Sequence, residues 1–133
     1  MSAASAAGNF EIEVETAFSA AHALRFRGDR EPLHGHDFRV TVTIGGGELD
    51  ADGLLFDFHE VERHLGEIVA PFRNRDLNVT PPFDRINPSA EEIARHIAVR
   101  LAGRLPAPAR VERVRVTEAP GCAATFRPSG GTR

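Results

Sequence analysis

Two runs of apolar residues with a period of two constrain this chain more than any other feature. In the first, Phe10, Ile12 and Val14 alternate with Glu11, Glu13 and Glu15. In the second, HDFRVTVTI, the residues Phe38, Val40, Val42 and Ile44 fall on alternate positions. Alternation of this kind puts every apolar side chain on one face of a strand and every polar one on the other. The first strand is expected to continue through Phe18 toward His22, and both need a sheet covered on one face. Helical spacing then replaces the strand period. In HEVERHLGEIVAPF, Val61, Leu65, Ile68, Val69 and Phe72 form one stripe. Ser89-Ala90-Glu91-Glu92 has the form of a capping box opening a second helix, with Ile93, Ile97, Leu101 and Leu105 on its apolar edge and Pro106 and Pro108 as its stop. A strand around Val114 and Val116 and another ending near Phe126 complete the order strand–strand–helix–helix–strand–strand. Paired strands separated by helices favour an antiparallel α+β sheet over a parallel doubly wound one.

The chain has 133 residues, enough for one domain. That domain is expected over residues 10–127, with disordered tails at 1–9 and 128–133. The run Gly45–Gly47 and ELDADG suggest a turn and a loop leading into an extended LLFDF stretch. Sixteen basic residues against nineteen acidic ones give a net charge of −3, which argues against a nucleic-acid partner. No apolar run approaches the roughly 18–20 residues of a membrane span, and the start lacks the basic and apolar regions of a secretory signal. The expectation is a soluble, cytoplasmic protein without a membrane partner. All sixteen basic residues are Arg, so a Schiff base on a lysine is excluded. Tyr and Trp are absent, and the single Cys122 rules out an internal disulfide. In its small-residue stretch, Cys122 reads as a small buried thiol. Proton-transfer chemistry falls to His, Asp, Glu and the one Cys.

His34-Gly35-His36 is the most informative local pattern. Residues two apart in a strand share a face, so both imidazoles can reach one ion, and the intervening Gly leaves the other face uncrowded. His22 would complete a three-imidazole set if the first two strands pair. Three neutral imidazoles with an open fourth position are the donor set of catalytic zinc. On spacing alone, two exposed strand histidines and an unrelated third is the equal alternative. His59, His64 and His96 lie in or beside the helices and read as structural.

FSAAH (Phe18–His22), LHGHDF (Leu33–Phe38), RDLN (Arg75–Asn78), NPSAEE (Asn87–Glu92) and VTEAP (Val116–Pro120) occur in one order along the chain. Together they resemble the 6-pyruvoyl-tetrahydropterin synthase / 6-carboxy-tetrahydropterin synthase family, from about Phe10 to Phe126. The resemblance implies a tunnel-type fold, a four-stranded antiparallel sheet with two helices on one face, assembled as a trimer into a barrel and commonly as a hexamer. It implies zinc held by His22, His34 and His36. It also implies a pterin whose guanidine-like edge is gripped by Glu118, with further contacts from Ser89 and Glu91. The plainer reading of Glu91 is helix-start electrostatics, and of Glu118 a solvated strand end.

The family's catalytic group is altered at all three positions. The position of its cysteine, before HGH, holds Arg30; its Asp-His pair is replaced by Arg73 and Asn74. Glu31-Pro32-Leu33-His34-Gly35-His36 does fit E-x-x-H-G-H, the pattern of a subgroup in which glutamate replaces cysteine and the dihydroneopterin side chain is cleaved by a retro-aldol reaction. The plainer reading of Glu31 is a loop acid paired with Arg27 or Arg30. Arg30, Arg73 and Arg75 suggest an added anion-binding edge, with Arg73 taken as substrate-binding. The leading expectation is a zinc-dependent lyase acting on a small molecule, a dihydropterin or related heterocycle, with Glu31 as its acid/base residue. The alternatives are a repurposed lyase or cyclase on a non-pterin substrate and a catalytically silent zinc- or pterin-binding module.

Overall fold

A computed structural model describes residues 6–129. The expected tails at 1–5 and 130–133 lie outside the described residues, while 6–9 and 127–129 carry no regular element. Two strands of equal length form the centre of the sheet: β1 (Phe10–His22) and β4 (His34–Gly46). They run antiparallel in unbroken register, from Phe10 opposite Gly46 to His22 opposite His34. Between them lies a small hairpin of β2 (Arg25–Phe26) and β3 (Asp29–Arg30). β6 (Arg110–Ala119) adds antiparallel to β4, and β7 (Cys122–Phe126) adds antiparallel to β6. β5 (Arg75–Asp76) pairs parallel with β1 at Ala20–Ala21, so the order is β5-β1-β4-β6-β7. The four-stranded antiparallel sheet is therefore present, with a two-residue parallel strand added at one edge.

The strand alternation becomes burial directly. Phe38, Val40, Val42 and Ile44 are fully buried and Phe18 nearly so. Their partners across the layer come from α1 (Phe58–Val69) and α2 (Ala90–Ala102). Val61, Leu65, Ile68 and Val69 are the buried stripe of α1, and Ile93, Ile97 and Leu101 that of α2. Asp57 caps α1 by accepting the His59 N–H at 2.8 Å, and Ser89 caps α2 by accepting that of Glu92 at 3.1 Å. These side chains satisfy amide groups that a helix start otherwise leaves unpaired. Leu105 follows the end of α2 and packs against the core as a partly buried residue.

Two local expectations are corrected. LLFDF is not an extended strand: the Asp50 turn closes on Leu54, Leu55 and Phe56 bend, and Asp57 and Phe58 already cap and open α1. Cys122 is exposed, not buried. It pairs with Ala119 beside the Pro120-Gly121 turn, where Gly121 takes φ 84°, a conformation natural to glycine. At a hairpin tip no layer covers the thiol. No helix among the described residues is long and apolar enough to cross a membrane.

Candidate metal centre

The β1–β4 register brings the three histidines together. His22 is the Cα partner of His34, and His36 lies two residues on, so all three project from the helix-covered face. Their ring centroids are 4.8, 5.0 and 4.8 Å apart. One ring nitrogen from each lies within 4.8 Å of the others. His22 is fully buried, His34 and His36 partly.

The outer nitrogens fix the inner ones. His22 Nδ1 is 2.8 Å from the Pro88 carbonyl, and His34 Nδ1 is 2.8 Å from the Pro32 carbonyl. A carbonyl only accepts, so each Nδ1 carries a proton and a neutral ring presents a lone pair at Nε2. His22 Nε2 and His36 Nε2 are buried with no hydrogen-bond partner among the described residues. Buried polar atoms are normally paired, and orphaned lone pairs converging on one point fit a cation. Burial holds the His36 imidazole below its ordinary pKa, opposed by Glu118 and reinforced by His22 and His34. A neutral ring is the form that binds metal. The residues present thus fit a divalent ion with imidazole preference, and zinc is such an ion.

Two carboxylates flank the imidazoles. Glu118, near the end of β6, places Oε1 3.4 Å from His22 Nε2 and Oε2 3.8 Å from His36 Nε2. Glu31, just after β3, places Oε1 3.6 Å from His34 Nε2. Glu31 does not pair with Arg27 or Arg30. Its Oε1 accepts the Leu24 N–H at 3.0 Å, which ties the hairpin's base to the site.

The remaining expected site residues fall in three places. Glu91 and Glu118 line one cavity of about 190 Å³ together with Leu24, Ala90 and the strand Cys122–Ala124. Ser89 stands at the same helix start, but its hydroxyl is engaged as the α2 cap. Arg73 is at the β1 edge instead, where Nη1 donates to the Ala17 carbonyl at 2.9 Å and the residue lines a depression with Asp37 and Arg39. Among the helix histidines, His59 pairs with Glu62 on the surface, and His96 packs between Phe72 and Phe83. Neither joins the centre.

Asn78 and Asn87 are positioning residues that sequence reasoning left without a role. The Asn78 side chain accepts the Ala23 N–H and donates to the Ala23 carbonyl, both at 2.8 Å. Asn87 does the same for Arg25, at 2.9 and 3.0 Å. Each amide replaces a strand partner for one residue, holding the chain where it leaves His22. The signal was present, since each asparagine belongs to a quoted motif, RDLN or NPSAEE.

A one-sided α+β sheet carrying three inward imidazoles and two acids defines the class of protein. The family profile described as 6-pyruvoyl tetrahydropterin synthase matches residues 11–129, and the chain belongs to that family. A protein of Archaeoglobus fulgidus provisionally named 6-carboxy-5,6,7,8-tetrahydropterin synthase is 35% identical over 107 residues, covering 80% of this chain and 86% of the relative. The dihydroneopterin monophosphate aldolase of Pyrococcus furiosus is 31% identical over 107 residues, covering 80% and 88%. The 6-pyruvoyl tetrahydropterin synthase structure of Caenorhabditis elegans superposes with a TM-score of 0.81 at 20% identity, covering 92% of this chain and 98% of that one, a likeness of fold.

Proposed function

We propose that this protein is a zinc-dependent lyase that cleaves the side chain of a dihydroneopterin-type substrate by a retro-aldol reaction. The observation that carries the reading is Glu31: a carboxylate 3.6 Å from His34 Nε2, in a chain whose Cys, Asp and His positions hold Arg30, Arg73 and Asn74. Similarity to an enzyme named as an aldolase on dihydroneopterin monophosphate supports it. His22, His34 and His36 would hold the metal, which when bound supplies Lewis acidity to the side-chain hydroxyls. Glu118 and Glu91, sharing one cavity, would bind the pterin's nitrogen-rich edge by charge-assisted hydrogen bonds.

Glu31 takes the proton of the second side-chain hydroxyl. The bond between the first and second side-chain carbons breaks as that oxygen becomes an aldehyde. Its electron pair passes into the dihydropterin ring system, and a proton then returns to the first carbon. The products are 6-hydroxymethyl-dihydropterin and a two-carbon aldehyde. Glu31 holds its orientation through the Leu24 N–H, so the base is placed before substrate arrives.

The test is incubation of the zinc-loaded protein with dihydroneopterin and with its monophosphate, followed by mass spectrometry. The expected product is 6-hydroxymethyl-dihydropterin from at least one of them. Glu31→Gln should lower the rate about 10²- to 10⁴-fold, the usual worth of a general base, and leave zinc content unchanged. Turnover by Glu31→Gln at the wild-type rate would refute the assignment.

A further inference from the structure

Glu118 reaches two imidazoles at once, and among the described residues its carboxylate takes no hydrogen bond. Glu31 touches one imidazole and is also committed to the Leu24 N–H. The two acids therefore differ in what they are free to do. Around an ion with ligand bonds of about 2.0–2.2 Å, tetrahedral geometry sets neighbouring ligand atoms about 3.3–3.6 Å apart. Glu118 Oε1 stands 3.4 Å from His22 Nε2, and Oε2 stands 3.8 Å from His36 Nε2. Each distance is within a few tenths of an ångström of such an edge, one from each oxygen of the same carboxylate. Glu118 thus spans the approach to two imidazoles where Glu31, 3.6 Å from His34 Nε2, faces only one. The two Glu118 distances are long for hydrogen bonds, and His22 Nε2 and His36 Nε2 have none among the described residues. A carboxylate facing unpartnered imidazole nitrogens is favourable where a cation is shared between them.

We infer that Glu118 is the fourth protein ligand of the metal in the resting state, closing the coordination position that substrate later needs. The inference rests on the proposed metal centre and deepens it. Glu118 then has two partners in competition, the ion and the cationic edge of a heterocycle entering the cavity it shares with Glu91. Binding that edge draws the carboxylate off the ion, so the reactive position opens only when the ring is seated. A resting site closed by carboxylate would also be less open to stray ligands than a three-imidazole site with bound water.

The test uses the full chain loaded with Zn²⁺ or with Co²⁺ as a visible-absorbing substitute, in wild type, Glu118→Gln, Glu118→Ala and Glu31→Gln. Circular dichroism of each metal-free form verifies folding. Losing a group that only touches a ligand typically weakens metal binding about 10–100-fold. Glu118→Gln and Glu118→Ala should lose at least tenfold in Zn²⁺ affinity by chelator competition, and their Co²⁺ bands should shift in position and intensity. Glu31→Gln, which loses only a contact to one imidazole, should leave the Co²⁺ bands in place whatever its effect on affinity. Dihydroneopterin added to the wild-type Co²⁺ form should move its spectrum toward that of Glu118→Ala. Weaker binding with an unchanged Co²⁺ spectrum would overturn direct ligation, as would wild-type affinity in both Glu118 variants. Failure of folded wild type to bind either ion would overturn the metal centre itself, and this inference with it. Failure of the lyase reaction alone leaves these metal readings intact and is told apart by them.

Discussion

His22 is the one titratable side chain that is fully buried among the described residues, which makes it a structural residue as well as a candidate ligand. His34 is at the rim, with 38% of its side chain exposed. The two should fail differently. His34→Ala is expected to lose metal while keeping wild-type stability within about 0.5 kcal/mol, as surface changes usually do. His22→Ala should lose metal and also about 2 kcal/mol or more, because it opens a cavity and strands the Pro88 carbonyl. Elemental analysis and urea unfolding of the metal-free forms separate the two outcomes. The clamp after His22 behaves likewise. Asn78→Ala leaves the Ala23 N–H and carbonyl unpaired, at about 1–3 kcal/mol for a buried group, and should weaken metal binding without touching a ligand. Chemistry at this scale is set by what cannot titrate. Arginine stays protonated and asparagine does not titrate, so Arg30, Arg73 and Asn74 cannot form a proton relay. Dihydroneopterin triphosphate should therefore give no efficient synthesis of 6-pyruvoyl- or 6-carboxy-tetrahydropterin. Rapid formation of either, followed by mass spectrometry, would show that another group supplies the base.

At the scale of elements, the sequence was legible wherever a period ran long enough to repeat. β4, α1 and α2 bury the face that their spacing marks and β1 does so from Val14 onward, with Phe10 exposed at its start, and Ser89 caps α2 as its pattern requires. β2, β3 and β5 are two residues long, too short for any period, and exist because of pairing. The three-histidine set was legible only as a condition, since it needed the β1–β4 register that loops and core together fix. Glu31 joins that set through a loop closure onto Leu24, and Cys122 is exposed because of a turn; neither is visible in composition. His96 gives the elements a pH signature. It packs against Phe72 and Phe83, and burial, aided by Arg100, lowers its pKa from an ordinary 6.5. As pH falls through 6.5 the unfolded chain takes up a proton that the folded chain does not. Folding stability from this group is thus fully present above about pH 6.5 and declines below it, until the folded pKa is reached. His96→Leu should remove that component. The unfolding free energy of wild type minus variant, from urea titrations at pH 5 to 8, should be flat above pH 7 and fall below 6.5. A difference independent of pH would show that His96 does not titrate on unfolding.

At the scale of the whole molecule, the sheet is covered on one face and unfinished at both edges. The uncovered face carries Glu11, Glu13 and Glu15 on β1, Arg39 on β4, and Arg113 and Arg115 on β6, with Arg113 paired to Glu11 and Glu13. A face so charged is stable in water and needs no apolar partner. The edges are another matter. Past Arg73, Asn74 and β5, which cover its His22 end, β1 has no strand on its outer side among the described residues, and β7 has none on its own. Unpaired backbone groups on such edges are a template for another strand. We therefore propose assembly by edge pairing between copies, as a trimer or hexamer, with the charged face turned inward toward solvent. Light scattering should give three or six times the 14.5 kDa chain mass. The mode of contact also fixes the response to salt. Charge contacts between faces would be screened at 1 M salt, where the Debye length is about 3 Å, whereas backbone hydrogen bonds between strands would not. The assembled mass should therefore persist from 0.1 to 1 M sodium chloride. Dissociation by salt would assign the contact to the charged face, and a monomer mass at every micromolar concentration would mean that the β1 and β7 edges remain open.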